Sequence, residues 1–251
     1  MRIEAENNPL EPDDQDERNA SEWDEVFPLT AETRRQDGPV RIVPEPYTRE
    51  AWLEKRNTLG IGASEAAAAL GLSPWTSALT LWRQKVGEME ATDLSGNEAV
   101  SRGVRMEPAL RAMFAAMHPE LTVSYHPFDM LQNPDVPWLF ATLDGEYFNG
   151  TGLRGIVEFK ASEPNGKAGW DAWNGQIPQH YYIQLLAQLI CTGYDEATLF
   201  AALFSRSEVV IRSYKLERTD CFADMEYVKD GTKKFWSCVQ ERRIPPTTII
   251  F

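Results

Sequence analysis

The sequence predicts an α/β protein in which helices flank a central mixed β-sheet. Apolar residues recur with helical spacing from residue 48 to residue 117, and the pattern then changes to short segments rich in β-branched and aromatic residues. A long helical segment separates the third predicted strand from the fourth, and another follows the last strand. This order of elements is typical of an α/β sandwich: helices come first, followed by a hairpin, a crossover helix, two strands and a final helix.

Capping and terminating residues delimit the predicted elements. Thr48 and Ser77 are N-cap residues, and Gly71 and Gly193 can end helices. The predicted helices cover residues 48–56, 64–70, 77–86, 97–117, 178–192 and 220–242. Pro108 either kinks the fourth helix or restarts it as a first-turn residue. The predicted strands cover residues 121–125, 138–148, 153–160, 197–204 and 209–216.

Acidic charge is concentrated near the start of the chain. The 251 residues carry 25 basic and 38 acidic side chains, a formal net charge of −13, and 14 of the acidic side chains lie in the first 50 residues. This proline-rich stretch has little periodic apolar pattern, so we expect residues 1–47 to be disordered or loosely docked and residues 48–251 to form the folded domain.

The net charge also limits the partners of the protein. It excludes a general electrostatic coat for nucleic acid or for an anionic membrane. A polyanion must therefore be met by metal ions or by a local basic groove. The cations available for such a groove are Arg102, Arg105, Arg111, Arg154 and Lys167.

The cellular compartment is predicted from what the sequence lacks. Its three cysteines, Cys191, Cys221 and Cys238, are too few and too scattered for a disulfide scaffold or a four-thiolate metal site. There is no run of 18 apolar residues and no apolar core of a signal peptide at the N-terminus. We therefore expect a cytoplasmic protein with no membrane contact.

A charged hairpin is the most informative part of the sequence. A Gly-rich turn separates Asp144 from Glu158 and Lys160. If the hairpin turns about Thr151, positions whose numbers sum to 302 face each other, and the Cβ atoms of Asp144 and Glu158 lie roughly 5 Å apart. Lys160 points to the same side of its strand as Glu158, and the alternate residues point into the core.

Two carboxylates at this separation repel each other, so a cation is expected between them. Hard oxygen ligands suit one or two Mg²⁺ or Mn²⁺ ions, which can polarise a phosphoryl oxygen and lower the pKa of a bound water. Lys160 would orient that water or stabilise the charge that develops on the phosphoryl group. The alternative is a solvated cross-strand salt bridge, which is common in hairpins.

These residues resemble a known family. Asp144 followed by Glu158-Phe159-Lys160 is similar to the D…(D/E)-x-K signature of the PD-(D/E)XK nuclease superfamily. Over about residues 48–205, further blocks occur in the order typical of the YqaJ-like viral recombinase family, relatives of lambda exonuclease. These blocks are residues 60–67 (GIGASEAA) with 71–75 (GLSPW), Gly103-x-x-x-Glu107-Pro108, and Tyr181-x-x-Gln184. The resemblance implies a restriction-endonuclease-like core.

The resemblance also implies a metal site and its catalytic lysine. Asp144 and Glu158 resemble the main metal ligands, and the Phe159 carbonyl and Glu107 resemble further ligands. Lys160 resembles the catalytic lysine. For Glu107 an alternative remains, because a carboxylate beside Pro108 can simply be a favourable charge at a restarted helix N-terminus.

Three more residues match positions that contact DNA or position catalytic groups in the family. Gln184 resembles the glutamine that positions the catalytic groups or the scissile phosphate, and Arg56 and Ser64 resemble the pair that holds a terminal phosphate. Each has an ordinary alternative: Gln184 as a surface amide, Arg56 as a helix-end cation, and Ser64 as an N-cap. The separation of Arg56 and Ser64 is one residue longer than the family pattern.

Other aromatic and histidine residues have less specific readings. The tryptophans at 75, 82, 170 and 173 can stack on splayed bases or pack in a core. The histidines at 118, 126 and 180 lack the spacing of metal ligands and are interpreted as structural. Lys167 falls in a predicted loop.

The function expected from these observations is a Mg²⁺-dependent deoxyribonuclease. The resemblance implies a 5′-to-3′ exonuclease acting on double-stranded DNA ends in phage-type recombination within a bacterial host cell. It also implies a ring-shaped homotrimer and a single-strand annealing protein as partner. The alternatives are an endonuclease of repair or restriction type, and a non-catalytic module that binds DNA ends or proteins.

Overall fold

The computed structural model describes residues 38–90 and 96–246. Most of the acidic segment predicted over residues 1–47 therefore lies outside the described residues. Within that segment, Val40–Ile42 forms strand β1, which pairs antiparallel with β4, Met130–Gln132. Regular secondary structure thus begins before residue 48, the predicted start of the folded domain.

A mixed sheet of five strands lies at the centre of the fold. Its order is β3 (Thr122–Ser124), β6 (Gly145–Phe148), β7 (Arg154–Ser162), β8 (Glu196–Phe204) and β9 (Val209–Glu217). Strands β7 and β8 are parallel, and the other neighbours are antiparallel. A parallel pair needs a crossover connection. Helices α5 (Gly166–Asp171) and α6 (Gln179–Thr192) supply it.

Helices cover both faces of this sheet. Helix α4, Glu98–Met117, packs on one face, where the Phe114 ring contacts Phe159 and Phe200 edge-on. Helix α6 packs on the other face, and helix α7, Phe222–Gln240, packs on α6. Strand β8 is buried almost throughout, which explains its nearly continuous apolar sequence. The sequence-based fold class, a mixed sheet flanked by helices, is confirmed.

The remaining helices lie before α4 in the chain, and the structure confirms their capping residues. Helix α1 covers Arg49–Leu59, α2 covers Ala66–Ala69, and α3 covers Ala78–Lys85. The Thr48 side chain accepts a hydrogen bond from the Ala51 N–H at 3.3 Å, and the Ser77 side chain accepts one from the Thr80 N–H at 3.1 Å. The predicted helix at 64–70 is divided into a 3₁₀ turn, Ala63–Glu65, and the short helix α2.

Helix α4 continues through Pro108 without a restart. Proline lacks an N–H, so the carbonyl four residues earlier, on Val104, loses its helical partner. Val104 is 69% exposed. Water can therefore solvate that carbonyl, which lowers the cost of the proline. A second short 3₁₀ turn, Arg218–Cys221, precedes helix α7.

The single strand predicted over residues 138–148 is wrong. Leu139–Phe140 forms strand β5, which pairs in parallel with strand β2, Ile61–Gly62, whereas Gly145–Phe148 belongs to the large sheet. Ala141 exchanges backbone hydrogen bonds with Leu131, which directs the chain away from the large sheet until Gly145. Strands β1, β2 and β4 have no counterpart in the predicted elements, because each has only two or three residues. The loop predicted around Lys167 is helix α5.

No helix within residues 38–90 and 96–246 is long and apolar enough to cross a membrane.

Candidate active site

The hairpin β6–β7 has the register predicted from the sequence. Gly145 pairs with Val157 and Glu146 with Ile156, so facing positions sum to 302. Asp144 immediately precedes β6, at the point where this strand joins the sheet. Gly145 lets the two strands approach closely, because a Cβ atom there would lie 2.8 Å from a methyl group of Val157.

The Asp144 carboxylate lies beside the backbone of β7. Its Oδ2 accepts a hydrogen bond from the Phe159 N–H at 3.0 Å. The N–H and C=O of one strand residue point to the same side of the strand. The Phe159 carbonyl therefore points to the same edge of β7 as the Asp144 carboxylate, where β6 has not yet begun.

Glu158 is bound by three donors although its side chain is almost fully buried. Its Oε1 accepts from Lys160 Nζ at 2.5 Å and from Gln184 Nε2 at 2.6 Å, and its Oε2 accepts from Gln188 Nε2 at 2.6 Å. The residue is only 2% exposed. A solvated cross-strand salt bridge, the alternative left open by the sequence, does not describe this carboxylate. These short charge-assisted bonds orient it.

Helix α6 positions the two glutamines. They are one turn apart, so both side chains lie over the face of β7 that carries Glu158. The predicted site includes Gln184 but not Gln188. Gln188 is completely buried in an otherwise apolar helix, and its Oε1 has no hydrogen-bond partner. A glutamine four residues from Gln184 was a signal for it, because buried polar side chains need partners.

Glu107 reaches the same region from helix α4, on the opposite face of the sheet. Arg111 joins it to the site: Arg111 Nη2 lies 2.6 Å from Glu107 Oε1, and Arg111 Nε donates to the Asp144 backbone carbonyl at 3.0 Å. Arg111 was predicted only as a cation for a DNA groove. It instead links a carboxylate of α4 to the start of β6.

Burial and the neighbouring charge of Glu158 oppose the ionisation of Asp144 and Glu107. Burial raises the pKa of the Asp144 carboxyl well above its ordinary value, and the charge of Glu158 raises it further against the opposing effect of Lys160. Burial also raises the pKa of Glu107, with Arg111 opposing and Glu158 reinforcing the shift. Within the part of the chain that the structure describes, the carboxylates of Asp144, Glu107 and Glu158 thus share a region with only two cationic side chains, those of Lys160 and Arg111. The excess negative charge favours the binding of an additional cation.

The lysine stays protonated in this setting. Burial by itself would lower the pKa of Lys160, but Glu158 and Asp144 outweigh burial and raise it above its ordinary value. The ammonium lies 5.1 Å from the centre of the Tyr181 ring, a cation–π distance. Lys160 is therefore a fixed positive charge at neutral pH.

The donor set fits a hard divalent cation. The carboxylates of Asp144 and Glu158 and the Phe159 carbonyl supply oxygen ligands at one sheet edge, which is the chemistry that Mg²⁺ prefers. In the described ranges 38–90 and 96–246, no group of three or more His, Cys, Asp or Glu side chains is arranged as a metal cluster. Glu107 is engaged by Arg111, and its role as a ligand remains a prediction.

The predicted phosphate-binding pair lies on neighbouring elements. Arg56 is in the last turn of α1, with its guanidinium 4.7 Å from the Trp52 ring and its Nη2 3.5 Å from Glu65 Oε1. Its side chain is only 20% exposed, unlike an ordinary helix-end cation. Ser64 is exposed in the 3₁₀ turn that contacts α6.

Glu65 contacts the backbone and the side chains that surround the predicted phosphate-binding pair. Its Oε2 accepts from the Gly62 N–H at 2.8 Å and lies 2.8 Å from Lys85 Nζ. Gly62 has no side chain, so Arg56 can approach it: a Cβ there would lie 3.2 Å from Arg56 Nη2. Arg56 and Lys85 thus share the carboxylate of Glu65.

The structure gives little support to the predicted basic groove. Arg102 pairs with Glu163, Arg105 with Glu98, and Lys167 with Asp171. Arg154 begins β7, six residues and roughly 20 Å from Lys160. The predicted groove cations therefore do not form a free basic surface.

The tryptophans and histidines divide into core and surface groups. Trp82 and Trp173 are 3% and 4% exposed and belong to the core, whereas Trp75 is 70% exposed. His118 lies 3.2 Å from Glu120, and His126 lies 3.6 Å from Glu146. His180 packs against Tyr181 with ring centres 4.0 Å apart.

The fold and the site together define a class of protein. A mixed sheet flanked by helices, with Asp144, Glu158 and Lys160 converging at a sheet edge, is the core of the PD-(D/E)XK nucleases. The chain belongs to the YqaJ-like viral recombinase family, whose domain model matches residues 51–195. The resemblance stated from the motifs is confirmed.

Individual relatives agree with this assignment. Protein YqaJ of Bacillus subtilis (strain 168), whose function is uncharacterised, is 26% identical over 191 residues, which are 76% of this chain and 56% of that protein. The chain thus spans little more than half the length of this relative.

Solved exonuclease structures share the fold. An alkaline exonuclease from Laribacter hongkongensis is 20% identical with a TM-score of 0.59, and the match covers 77% of this chain and 93% of that one. Its complex with dAMP matches with a TM-score of 0.56 at 19% identity, covering 77% and 95%. A phage-related exonuclease from Haemophilus somnus 129PT matches at 13% identity with a TM-score of 0.50, covering 74% and 96%. These three matches show that the chain shares the fold of these structures.

Proposed function

We propose that the protein is a Mg²⁺-dependent deoxyribonuclease that hydrolyses phosphodiester bonds, with Mn²⁺ as an alternative ion. The observation that carries this proposal is the convergence of Asp144, Glu158 and Lys160 at the start of β6, where burial and the charge of Glu158 raise the pKa of Asp144. Bound there by Asp144, Glu158 and the Phe159 carbonyl, one or two ions would act as a Lewis acid and lower the pKa of a bound water.

The protein side chains have distinct roles in this proposal. Gln184 and Gln188 hold both oxygens of Glu158, so the carboxylate does not have to reorient during the reaction. Against the effect of burial, Glu158 and Asp144 raise the pKa of Lys160 in the metal-free protein, so we assign this side chain an electrostatic role. Its ammonium stabilises the negative charge that develops on the phosphoryl oxygens and orients the attacking water.

The substrate proposed is the end of double-stranded DNA. Arg56 and Ser64 would hold a terminal phosphate, which favours an exonuclease over an endonuclease. The proposed 5′-to-3′ direction rests on family membership. Family membership supports the further proposals of a ring-shaped homotrimer, a single-strand annealing partner and a role in phage-type recombination.

The test is cleavage of end-labelled linear duplex DNA with and without Mg²⁺. Lys160→Ala should lower the cleavage rate by at least about 100-fold, within the range for loss of one electrostatic catalytic group. Lys167→Ala is the matched control, because this lysine is exposed and pairs only with Asp171. Equal rates for the two variants, or no cleavage by the wild-type protein with either ion, would favour the non-catalytic binding module.

A second substrate separates the two nuclease classes. A closed circular duplex has no end, so an exonuclease that needs a terminal phosphate leaves it intact. Cleavage of the circle at the rate of the linear duplex would instead identify an endonuclease.

A further inference from the structure

We propose that Trp75 forms a base-stacking subsite that holds a nucleobase near the end of the DNA substrate. This inference rests on the proposed function, since it deepens the description of the same site. Its starting point is the exposure of Trp75, which is 70% accessible to solvent. Such a large apolar side chain normally loses its exposure on folding.

The turn that carries Trp75 is ordered, so the indole is held outward by the fold. The backbone N–H groups of Trp75 and Thr76 both donate to Ser73 Oγ, at 3.2 and 3.3 Å. The Leu72 N–H donates to the Ala67 carbonyl at 2.8 Å before the turn, and Ser77 caps helix α3 after it. A preorganised aromatic surface loses little conformational freedom when it binds.

Aromatic contacts connect Trp75 to the catalytic lysine. Its ring meets the His180 ring edge-on, with centres 4.5 Å apart, and lies 6.0 Å from the Tyr181 ring. The Tyr181 ring is in turn 5.1 Å from Lys160 Nζ. The last two distances place the indole no more than about 11 Å from the ammonium. A DNA strand rises about 3.4 Å per nucleotide, so this distance covers about three nucleotides.

The chemistry of the subsite favours a nucleobase. Burial, together with the nearby Lys160, lowers the pKa of His180 to about 4, so the imidazole beneath the indole is neutral at working pH. The exposed surface is therefore an uncharged aromatic platform within about 11 Å of Lys160 Nζ. Stacking on such a side chain typically changes affinity by roughly 5- to 150-fold per base, with little dependence on sequence.

Other exposed aromatic side chains provide a contrast. Phe222 and Tyr227 are 56% and 63% exposed on helix α7, where no residue of the predicted site lies. Tyr227→Ala therefore removes an exposed ring of similar kind without touching the site, and serves as the matched control.

The experiment is a double-mutant cycle between the protein and the DNA. Two linear duplexes are compared: one with normal bases, and one in which the first three nucleotides of the end-bearing strand are abasic. Cleavage efficiency, kcat/KM, is measured for the wild-type protein and for Trp75→Ala, Trp75→Phe and Tyr227→Ala. Equilibrium binding of both duplexes is measured in Ca²⁺ with Lys160→Ala and with Lys160→Ala combined with Trp75→Ala.

If Trp75 stacks on a base, abasic ends should weaken DNA binding and lower kcat/KM by roughly 5- to 150-fold in every protein that retains Trp75. Trp75→Ala should lower both quantities for the normal duplex and remove the penalty of the abasic duplex. Trp75→Phe should restore part of the discrimination, and Tyr227→Ala should match the wild type.

Two results would overturn the subsite. One is an abasic penalty that stays complete in Trp75→Ala; the other is a change of oligomeric mass in this variant, which would assign the indole to contact with a second copy of the chain. A failure of the proposed function can be distinguished from a failure of the subsite. In that case the wild-type protein and Lys160→Ala would both be inactive, and the binding measurements would still show whether Trp75 contacts the bases.

Discussion

Replacing Asp144 with asparagine should stabilise the metal-free protein at neutral and alkaline pH. The side chain keeps its size, and an amide oxygen can still accept the hydrogen bond from the Phe159 N–H. What is removed is a carboxylate whose pKa is raised by burial and by Glu158. A site assembled to hold a cation is strained by its own charge when the cation is absent.

The size of the effect can be estimated by extending the observed register by one position, from Gly145–Val157 to Asp144–Glu158. Facing residues have Cβ atoms roughly 5 Å apart. Two unit charges at that distance repel by about 3 kcal/mol at an effective dielectric constant of 20. Lys160 offsets part of this repulsion, so we expect the free energy of unfolding of Asp144→Asn to exceed that of the wild type by about 1–3 kcal/mol.

The pH dependence has a definite sign. The pKa of Asp144 is higher in the folded than in the unfolded state, so the folded protein binds the proton more tightly. The stability associated with that proton is present at low pH and is lost as pH rises through the folded-state pKa. The advantage of Asp144→Asn should therefore vanish at low pH and grow as the pH rises through the folded-state pKa of Asp144.

The assay is urea unfolding in the presence of a chelator, at pH values from 4 to 8. Asp135→Asn is the matched control, because Asp135 is exposed in a loop and should show no pH-dependent difference. If Asp144→Asn were no more stable than the wild type at pH 8, the two carboxylates would not be in unfavourable proximity, and the inference of a cation site would fail.

Three further predictions concern the same site. Gln188→Leu should lower kcat at least about tenfold, because loss of one hydrogen bond to the charged Glu158 is worth about 1.5–3 kcal/mol; unchanged kcat would mean that Gln184 alone orients the carboxylate. Arg56→Ala should abolish the preference for 5′-phosphorylated over 5′-hydroxyl ends in a competition assay, and Arg154→Ala should retain it. Mg²⁺ at about 100 times its dissociation constant should raise the unfolding free energy of the wild type by about 2.7 kcal/mol but that of Asp144→Asn much less, as measured by urea unfolding.

The hairpin shows which features the sequence predicts well. Its register depends on the turn and on the two-residue period of its strands, and both are local properties of the chain. The same is true of helix starts, where Thr48 and Ser77 bind N–H groups three residues away. These features need no knowledge of distant segments.

The strand predicted over residues 138–148 shows where local patterns fail. Apolar residues recur along it, but Leu139–Phe140 pairs with Ile61–Gly62 and Gly145–Phe148 pairs with β7. The choice of partner strand depends on residues far away in the chain. A run of apolar residues carries no information about it.

The candidate site divides in the same way. The sequence by itself determined the register of the hairpin and the shared side of Glu158 and Lys160 on β7, because a hairpin is a local structure with a fixed side-chain period. Only the tertiary structure decided that Gln188 binds Glu158 from one face of the sheet and that Arg111 ties Glu107 to Asp144 from the other. Those contacts depend on how helices α6 and α4 pack against opposite faces of the sheet near the start of β6. Such packing is a long-range property that no segment of the chain specifies alone.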